Sequence, residues 1–273
     1  MNKGVLYIAF NNNKVNYIAQ AVWNAHRVRR HLGVGCSLVT DNVSRPTDTS
    51  MFDNVFIVES SSGGTRKYDH MNADSSAEWK NIGRCNAYDL TPYDQTLVID
   101  TDYMVNSNQL AVLFDLDYDF LCHREVLDVT NRRNFARDTR FGDVEFPMWW
   151  ATVTYFRKSD LANQIFSVWK MVQDNWYHYS RLYKFSQDLF RNDYAVSIAL
   201  ATVYGHQLNI PSIPWPLFTA FYDVYMNQIN DDCFKLNYVR IGEKQLHQNL
   251  ILDNCDLHVM NKPDLEKICV NTV

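Results

Sequence analysis

The chain has 273 residues, nearly half of them apolar or aromatic, and a formal net charge of −5. That length can bury one large α/β core or two small ones, and the acidic balance excludes a protein that holds nucleic acid through its overall field, although a local basic patch is compatible with it. No apolar run reaches the length of a membrane span, and the short apolar stretch after Lys3 reads as a first strand and not as a signal sequence. The expected location is therefore cytoplasmic. Six cysteines, Cys36, Cys85, Cys122, Cys233, Cys255 and Cys269, include no Cys-x-x-Cys pair, which fits reduced thiols better than a zinc cluster or a disulfide framework.

Residues 4–10 form a continuous apolar run of the kind found in a buried strand, closed by the turn formers Asn11, Asn12 and Asn13. Over 17–32 the apolar residues Ile18, Ala21, Val22, Ala25, Val28 and Leu32 recur at helical spacing, and Gly33 supplies the stop. Strands are predicted at 36–40 and 54–58, with a loop through Pro46 between them and a Ser/Gly turn at 60–64 after them. A second helix is predicted over 75–88 and a strand over 95–99. This alternation predicts an α/β fold with a mostly parallel central sheet and helices on both faces. The second half is less regular: strands at 120–125 and 151–156, helices at 160–175 and 191–204, and a long polar stretch at 131–140 that exceeds a simple connection. No repeat, low-complexity tract or linker divides the chain, so one domain is expected over 1–273.

The strand at 95–99 runs straight into Asp100-Thr101-Asp102. Alternate side chains of a strand share a face, so both carboxylates project the same way if extended geometry persists past Ile99. They converge at the carboxyl end of a strand, the edge of an open parallel sheet where ligands bind. Two hard oxygen donors there suit a divalent cation, Mn²⁺ or Mg²⁺, that can hold a diphosphate. Asp is also a routine turn residue at strand ends, and the triplet alone leaves that reading open.

Four stretches in one order decide between the two: the strand and turn at 8–13; Ser37-Leu38-Val39-Thr40-Asp41-Asn42-Val43-Ser44; the run from Trp79 through Asp89-Leu90-Thr91-Pro92-Tyr93-Asp94 into Val98-Ile99-Asp100-Thr101-Asp102 and Leu113-Phe114-Asp115; and His258-Val259-Met260-Asn261-Lys262-Pro263. In these the chain resembles GT-A-fold (Rossmann-like) glycosyltransferases, within them the glycogenin-like and bacterial galactosyltransferase-like (family 8 type) group. The resemblance implies a single GT-A domain, with a nucleotide-binding half at 1–115 and an acceptor and sugar half at 116–273 that ends in a metal-ligand segment. It implies hexosyl or pentosyl transfer from a nucleotide-sugar donor, a UDP-sugar, with retention of configuration. Asp100 and Asp102 correspond to its metal pair, Asp100 also facing the donor ribose, and His258 to the third ligand. Lys262 corresponds to the group that reaches the diphosphate. Ala9, Phe10 and Asn11 line the nucleotide, and Lys80 or Arg84 touches phosphate or ribose. The group spaces its histidine and lysine further apart, with a glycine between, whereas three residues intervene here.

Each residue also has a plainer reading: His258 as a satisfied histidine, Lys262 as a surface lysine, Lys80 and Arg84 as a solvated helix face. Where the resembling group places an Asp-Gln pair against the donor sugar, this chain has Asn192-Asp193, the carboxylate moved by one position. Asp193 is the candidate to contact sugar hydroxyls or to act as a base, with a helix N-terminal role as the alternative. Trp149 and Trp150 are candidates for a stacking platform or for core. Arg132, Arg133, Arg137 and Arg140 make the 131–140 loop locally basic, which suits an anionic acceptor such as a modified DNA base, or an internally paired loop beside Asp128, Asp138, Asp143 and Glu145. A glycan is the other acceptor class. Two further functions stay open: a nucleotidyltransferase using a nucleoside triphosphate, disfavoured because no glycine-rich phosphate loop follows the first strand, and a non-catalytic module that binds nucleotide-sugar.

Overall fold

The computed structural model of the chain describes residues 1–60, 64–67, 76–81, 83–134, 140–141, 146–185, 190–207, 209–240 and 245–272. Its central sheet joins β1 (Lys3–Ile8), β2 (Gly35–Thr40), β3 (Asn54–Ile57), β6 (Gln95–Ile99), β8 (Phe120–His123) and β12 (Trp150–Arg157) in the order β3-β2-β1-β6-β12-β8. The first four are mutually parallel, and β12 runs antiparallel to both of its neighbours. β6 is buried at every position, the polar Gln95 and Thr96 included, and its Leu97-Val98-Ile99 run suits a strand covered on both faces.

Alternation along the strands feeds two cores. Val5, Tyr7, Leu97 and Ile99 pack with Ile18, Ala21, Ala25 and Val28 of helix α1 (Tyr17–Leu32). Leu6, Ile8, Val98 and Phe156 pack on the opposite face with α3 (Asp160–Asp174) and α5 (Asn192–Val203), through Ile165, Phe166, Trp169 and Ile198. Helix α1 starts where the Asn16 side chain accepts the Ala19 N–H at 3.0 Å and stops at Gly33, whose φ of 66° is left-handed. The Ser159 hydroxyl caps α3 by accepting the Ala162 N–H at 3.2 Å.

A smaller sheet lies beside the first, in the order β7 (Tyr103–Met104), β17 (Leu257–Val259), β13 (Leu217–Ala220), β9 (Val126–Asp128). An antiparallel meander of β14 (Tyr225–Gln228), β15 (Cys233–Arg240) and β16 (Leu246–Asp253) adjoins it. Short pairs join β4 (Thr65–Lys67) to β5 (Ser76–Glu78) and β10 (Arg140–Phe141) to β11 (Phe146–Pro147). Helices α2 (Ala87–Leu90) and α4 (Trp176–Leu182) are short, and α6 (Lys262–Thr272) packs on α1.

The helix predicted over 75–88 is corrected. Its described part opens as β5, continues through a 3-10 turn at Gly83–Asn86 and becomes helical only at α2. Asn81, Gly83 and Asn86 are poor helix formers, while the Trp79 N–H bonds the Gly64 carbonyl at 2.9 Å and its indole stacks on Phe190. Three residues of the turn predicted at 60–64, numbers 61–63, lie outside the described residues. Both halves of the chain contribute to the central sheet, since β8 and β12 complete it. All six cysteines are free thiols. Among the described residues no helix is long and apolar enough to cross a membrane.

Candidate active site

The strand order places a topological switch point between β1 and β6: the chain leaves β1 toward β2 and β3, then returns to β6 on its other side. A cleft of about 450 Å³ opens at the carboxyl ends of these strands, with Ile8, Ala9 and Phe10 from β1 and Asp100, Thr101 and Asp102 from β6 in its wall.

The aspartate turn is anchored by main chain. The Asp100 N–H donates to the Thr152 carbonyl of β12 at 2.9 Å, one step beyond the end of β6, and the Tyr103 N–H closes the turn on the Asp100 carbonyl at 3.0 Å. Both carboxylates line the cleft, whereas the hydroxyl of the intervening Thr101 donates to Gln20 Oε1 on α1 at 3.1 Å. Arg84, buried at the start of the 3-10 turn, contacts the Asp100 carboxylate and the Ala151 carbonyl. Its guanidinium is thereby engaged with Asp100.

His258 arrives on β17. That strand pairs with β7, immediately after the aspartate turn, and the Val259 N–H donates to the Asp102 carbonyl at 2.8 Å. In this register His258 Nε2 stands 3.7 Å from Asp102 Oδ2 and Nδ1 lies 3.4 Å from the Thr219 hydroxyl. The short link to Lys262 suffices because α6 begins at once. The Asn261 side chain ties that link down, donating to the Val224 carbonyl at 3.1 Å and accepting the Asp264 N–H at 3.3 Å. The Lys262 ammonium contacts the Asp102 carboxylate directly. Burial on its own would push the Asp102 carboxyl up, but the Lys262 ammonium and the His258 imidazole outweigh it and hold the group well below the usual carboxylate range.

Donors bound to one small divalent ion at about 2.1 Å stand roughly 3–4 Å from each other, and the separation of His258 and Asp102 is of that size. Two carboxylates and an imidazole on one cleft wall are a donor set that Mn²⁺ or Mg²⁺ accepts. Among the described residues no three acidic, histidine or cysteine side chains close around a single point; Asp100 faces Arg84 and Asp102 faces Lys262.

Asn192 and Asp193, at the start of α5, also line the cleft. Asp193 is fixed at both oxygens, accepting the Ala151 N–H at 2.9 Å and an Arg191 N–H at 2.8 Å. Asn192 donates to the Asn81 carbonyl at 2.9 Å. Lys80 also lines the cleft, its Nζ 3.8 Å from the Asp41 carboxylate. Asn11 is engaged in the turn, donating its N–H to the Ser44 hydroxyl at 2.9 Å and accepting the Ile18 N–H at 3.0 Å.

Of the two tryptophans considered as platform or core, Trp149 is 1% exposed and belongs to the core, whereas Trp150, the first residue of β12, lines the cleft. Arg132 and Arg133 are both chelated by Asp223, at 2.9–3.3 Å, and the Arg133 guanidinium lies 4.1 Å over the Phe221 ring and 5.2 Å over Tyr222. Arg137 and Asp138 lie outside the described residues. Tyr17, Thr219, Phe221 and Tyr222 are cleft residues that the sequence reading passed over. The adjacent aromatics directly after β13 were the available signal.

No family model matches the chain, and no curated protein matches it in sequence. In structure it is similar to several glycosyltransferases. One is the galactosyltransferase LgtC in complex with donor and acceptor sugar analogs: 14% identity, 71% of this chain and 69% of that one covered, TM-score 0.45. Mouse xyloside xylosyltransferase 1 in its apo form matches at 14% identity over 79% of this chain and 87% of that one, TM-score 0.46. The apo glycosyltransferase GlyE of Streptococcus pneumoniae TIGR4 matches at 13% identity over 78% of this chain and 45% of that one, TM-score 0.43.

Proposed function

We propose that the protein is a GT-A-type glycosyltransferase that moves a sugar from a nucleotide-sugar donor, a UDP-sugar, to an acceptor, with Mn²⁺ or Mg²⁺ held by Asp102 and His258 beside Asp100. The observation that supports it is the meeting of Asp100, Asp102, His258 and Lys262, from chain segments far apart in sequence, in one cleft at the switch point of the sheet. A single domain over 1–273 is part of this reading.

When bound, the metal supplies Lewis-acid stabilisation of the diphosphate leaving group. Lys262 turns from Asp102 to that diphosphate as a second positive charge. Ala9, Phe10 and Tyr17 border the nucleotide, with Lys80 near its phosphates. Asp193, immobilised by Ala151 and Arg191, presents a fixed negative field to the sugar as its anomeric carbon becomes oxocarbenium-like, and Asn192 binds its hydroxyls. Retention of configuration is carried by the resemblance to the family 8 type group. Trp150, Phe221 and Tyr222 give the acceptor side flat apolar faces, which suit a glycan. The pairing of Arg132 and Arg133 with Asp223 reduces the charge available to a DNA acceptor.

The test incubates the protein and Mn²⁺ with a panel of UDP-sugars and, separately, nucleoside triphosphates, and reads product masses. UDP release with sugar transfer or hydrolysis supports the reading. Pyrophosphate release from a triphosphate makes the protein a nucleotidyltransferase, metal-dependent UDP binding without turnover makes it a binding module, and full transfer in excess EDTA overturns the metal site.

A further inference from the structure

Helix α1 turns a polar stripe toward the site. Gln20, Asn24 and Arg27 follow one another at helical spacing; the first two have no exposed surface and Arg27 is 6% exposed. Buried amides cost free energy unless they are paired, and these pair with the turn at 101–105 and with the first residue of α6. Asn24 Nδ2 donates to the Thr101 carbonyl at 2.8 Å, and its Oδ1 accepts the Val105 N–H at 3.2 Å. Gln20 Oε1 accepts the Thr101 hydroxyl at 3.1 Å, and its Nε2 donates to the Lys262 carbonyl at 3.4 Å. Arg27 Nε donates to the Val105 carbonyl at 2.8 Å.

Thr101 is the residue between the two aspartates. Its carbonyl and hydroxyl both face α1 while the flanking carboxylates face the cleft. Rotating the peptide after Thr101 would swing Asp102, and rotating Thr101 itself would move both acids. From this geometry we propose that Asn24 and Gln20 are positioning residues for the aspartate pair: Asn24 fixes the Thr101–Asp102 peptide, and Gln20 ties the same turn to the first residue of α6, holding Asp102 and Lys262 in one relative position. The inference rests on the metal-dependent donor site proposed above. Apolar side chains of similar size would fill both positions without burying an amide, and α1 already has its anchor in Ile18, Ala21, Ala25 and Val28. What the amides add is direction at Thr101.

The experiment measures Mn²⁺ uptake by the intact protein in the presence of UDP, with no sugar and no turnover, beside urea unfolding of each variant. Asn24→Leu and Gln20→Met remove the contacts with little change of volume. Asn24→Asp keeps the acceptor for Val105 and loses the donor to Thr101. Val28→Ala loosens the same helix from its apolar face. Mn²⁺ affinity is expected to fall roughly 10–100-fold in both Asn24 variants, the range found when groups that orient metal ligands are removed, to fall less in Gln20→Met, and to stay at the wild-type value in Val28→Ala. Wild-type affinity in all the amide variants overturns the inference alone, as does a loss of affinity in Val28→Ala equal to theirs. Failure of all the amide variants to unfold cooperatively also overturns it, returning the amides to a purely structural role. Failure of the wild-type protein to take up Mn²⁺ with UDP overturns the metal site itself, and the inference with it.

Discussion

The His258 imidazole stands 3.7 Å from the Asp102 carboxylate because the two residues belong to neighbouring strands, joined by the hydrogen bond from the Val259 N–H to the Asp102 carbonyl. Main chain thus sets the spacing of the proposed ligand pair. Asp102, almost fully buried, faces His258 and the Lys262 ammonium together.

Asp102→Asn keeps the shape of the side chain and removes its charge. If the metal contributes several kcal/mol to the leaving-group step, loss of this ligand lowers kcat by roughly 10²–10⁴-fold. UDP-sugar hydrolysis, with circular dichroism to verify the fold, measures it; near-wild-type turnover would remove Asp102 from the site.

Lys262→Met separates two effects. Without UDP the ammonium competes with a divalent ion for Asp102, and a like charge at that range costs at least about 1.4 kcal/mol, so Mn²⁺ uptake by the free protein is expected to tighten by about tenfold or more. With a UDP-sugar the lost positive charge slows transfer. Calorimetry of Mn²⁺ alone and steady-state kinetics should move in opposite directions; parallel losses would contradict the exchange of partners.

Asp256 supplies a pH signature outside the cleft. It is buried between β16 and β17, accepts the Asn106 N–H at 2.7 Å and the Tyr103 hydroxyl at 3.2 Å, and burial pushes its carboxyl up to about 6. The native state therefore holds a proton that the unfolded chain releases near pH 4. Stability from this group is fully present below pH 4 and is lost as pH rises through 6, by about 2–3 kcal/mol. Asp256→Asn should flatten that part of the urea-midpoint profile between pH 4 and 7. A wild-type slope in the variant would assign the effect elsewhere.

Arg132 stacks 5.0 Å over Tyr238 and donates to Thr130, Asp223 and the Val239 carbonyl. Arg132→Ala is expected to cost about 1–3 kcal/mol of stability, the scale of charged hydrogen bonds, with UDP binding unchanged. A shift in acceptor KM with steep salt dependence and no loss of stability would instead place an anionic acceptor at this rim.

The strands at the centre of the sheet were legible because each is a short apolar run bounded by turn formers, and Asp100 and Asp102 were legible because they end one of them. The stretch at 75–88 was not legible as strand and turn because Trp79 takes its place by stacking on Phe190, a partner distant in sequence. Gln20 and Asn24 escaped for a related reason. Polar positions on an amphipathic helix read as its solvent face, and only the return of β6 and β7 past α1 makes that face interior. Phe221 and Tyr222 followed a proline-broken stretch where neither period can be read, and the pairing of Arg132 with Asp223 joins segments that no local pattern connects.

The pairing of β17 with β7 also bears on the order of folding. Residues 103–104 meet 257–258 there, a closure over most of the chain, and contacts of such long sequence separation form late because the loop entropy must be met before they reward it. The aspartate turn, held by β12 and α1, can take shape in a partly folded intermediate. His258 and Lys262 join it only when β17 docks. Refolding followed by intrinsic fluorescence should therefore run ahead of the recovery of Mn²⁺-dependent UDP binding, with an interval in which the sheet exists and the ligand set does not.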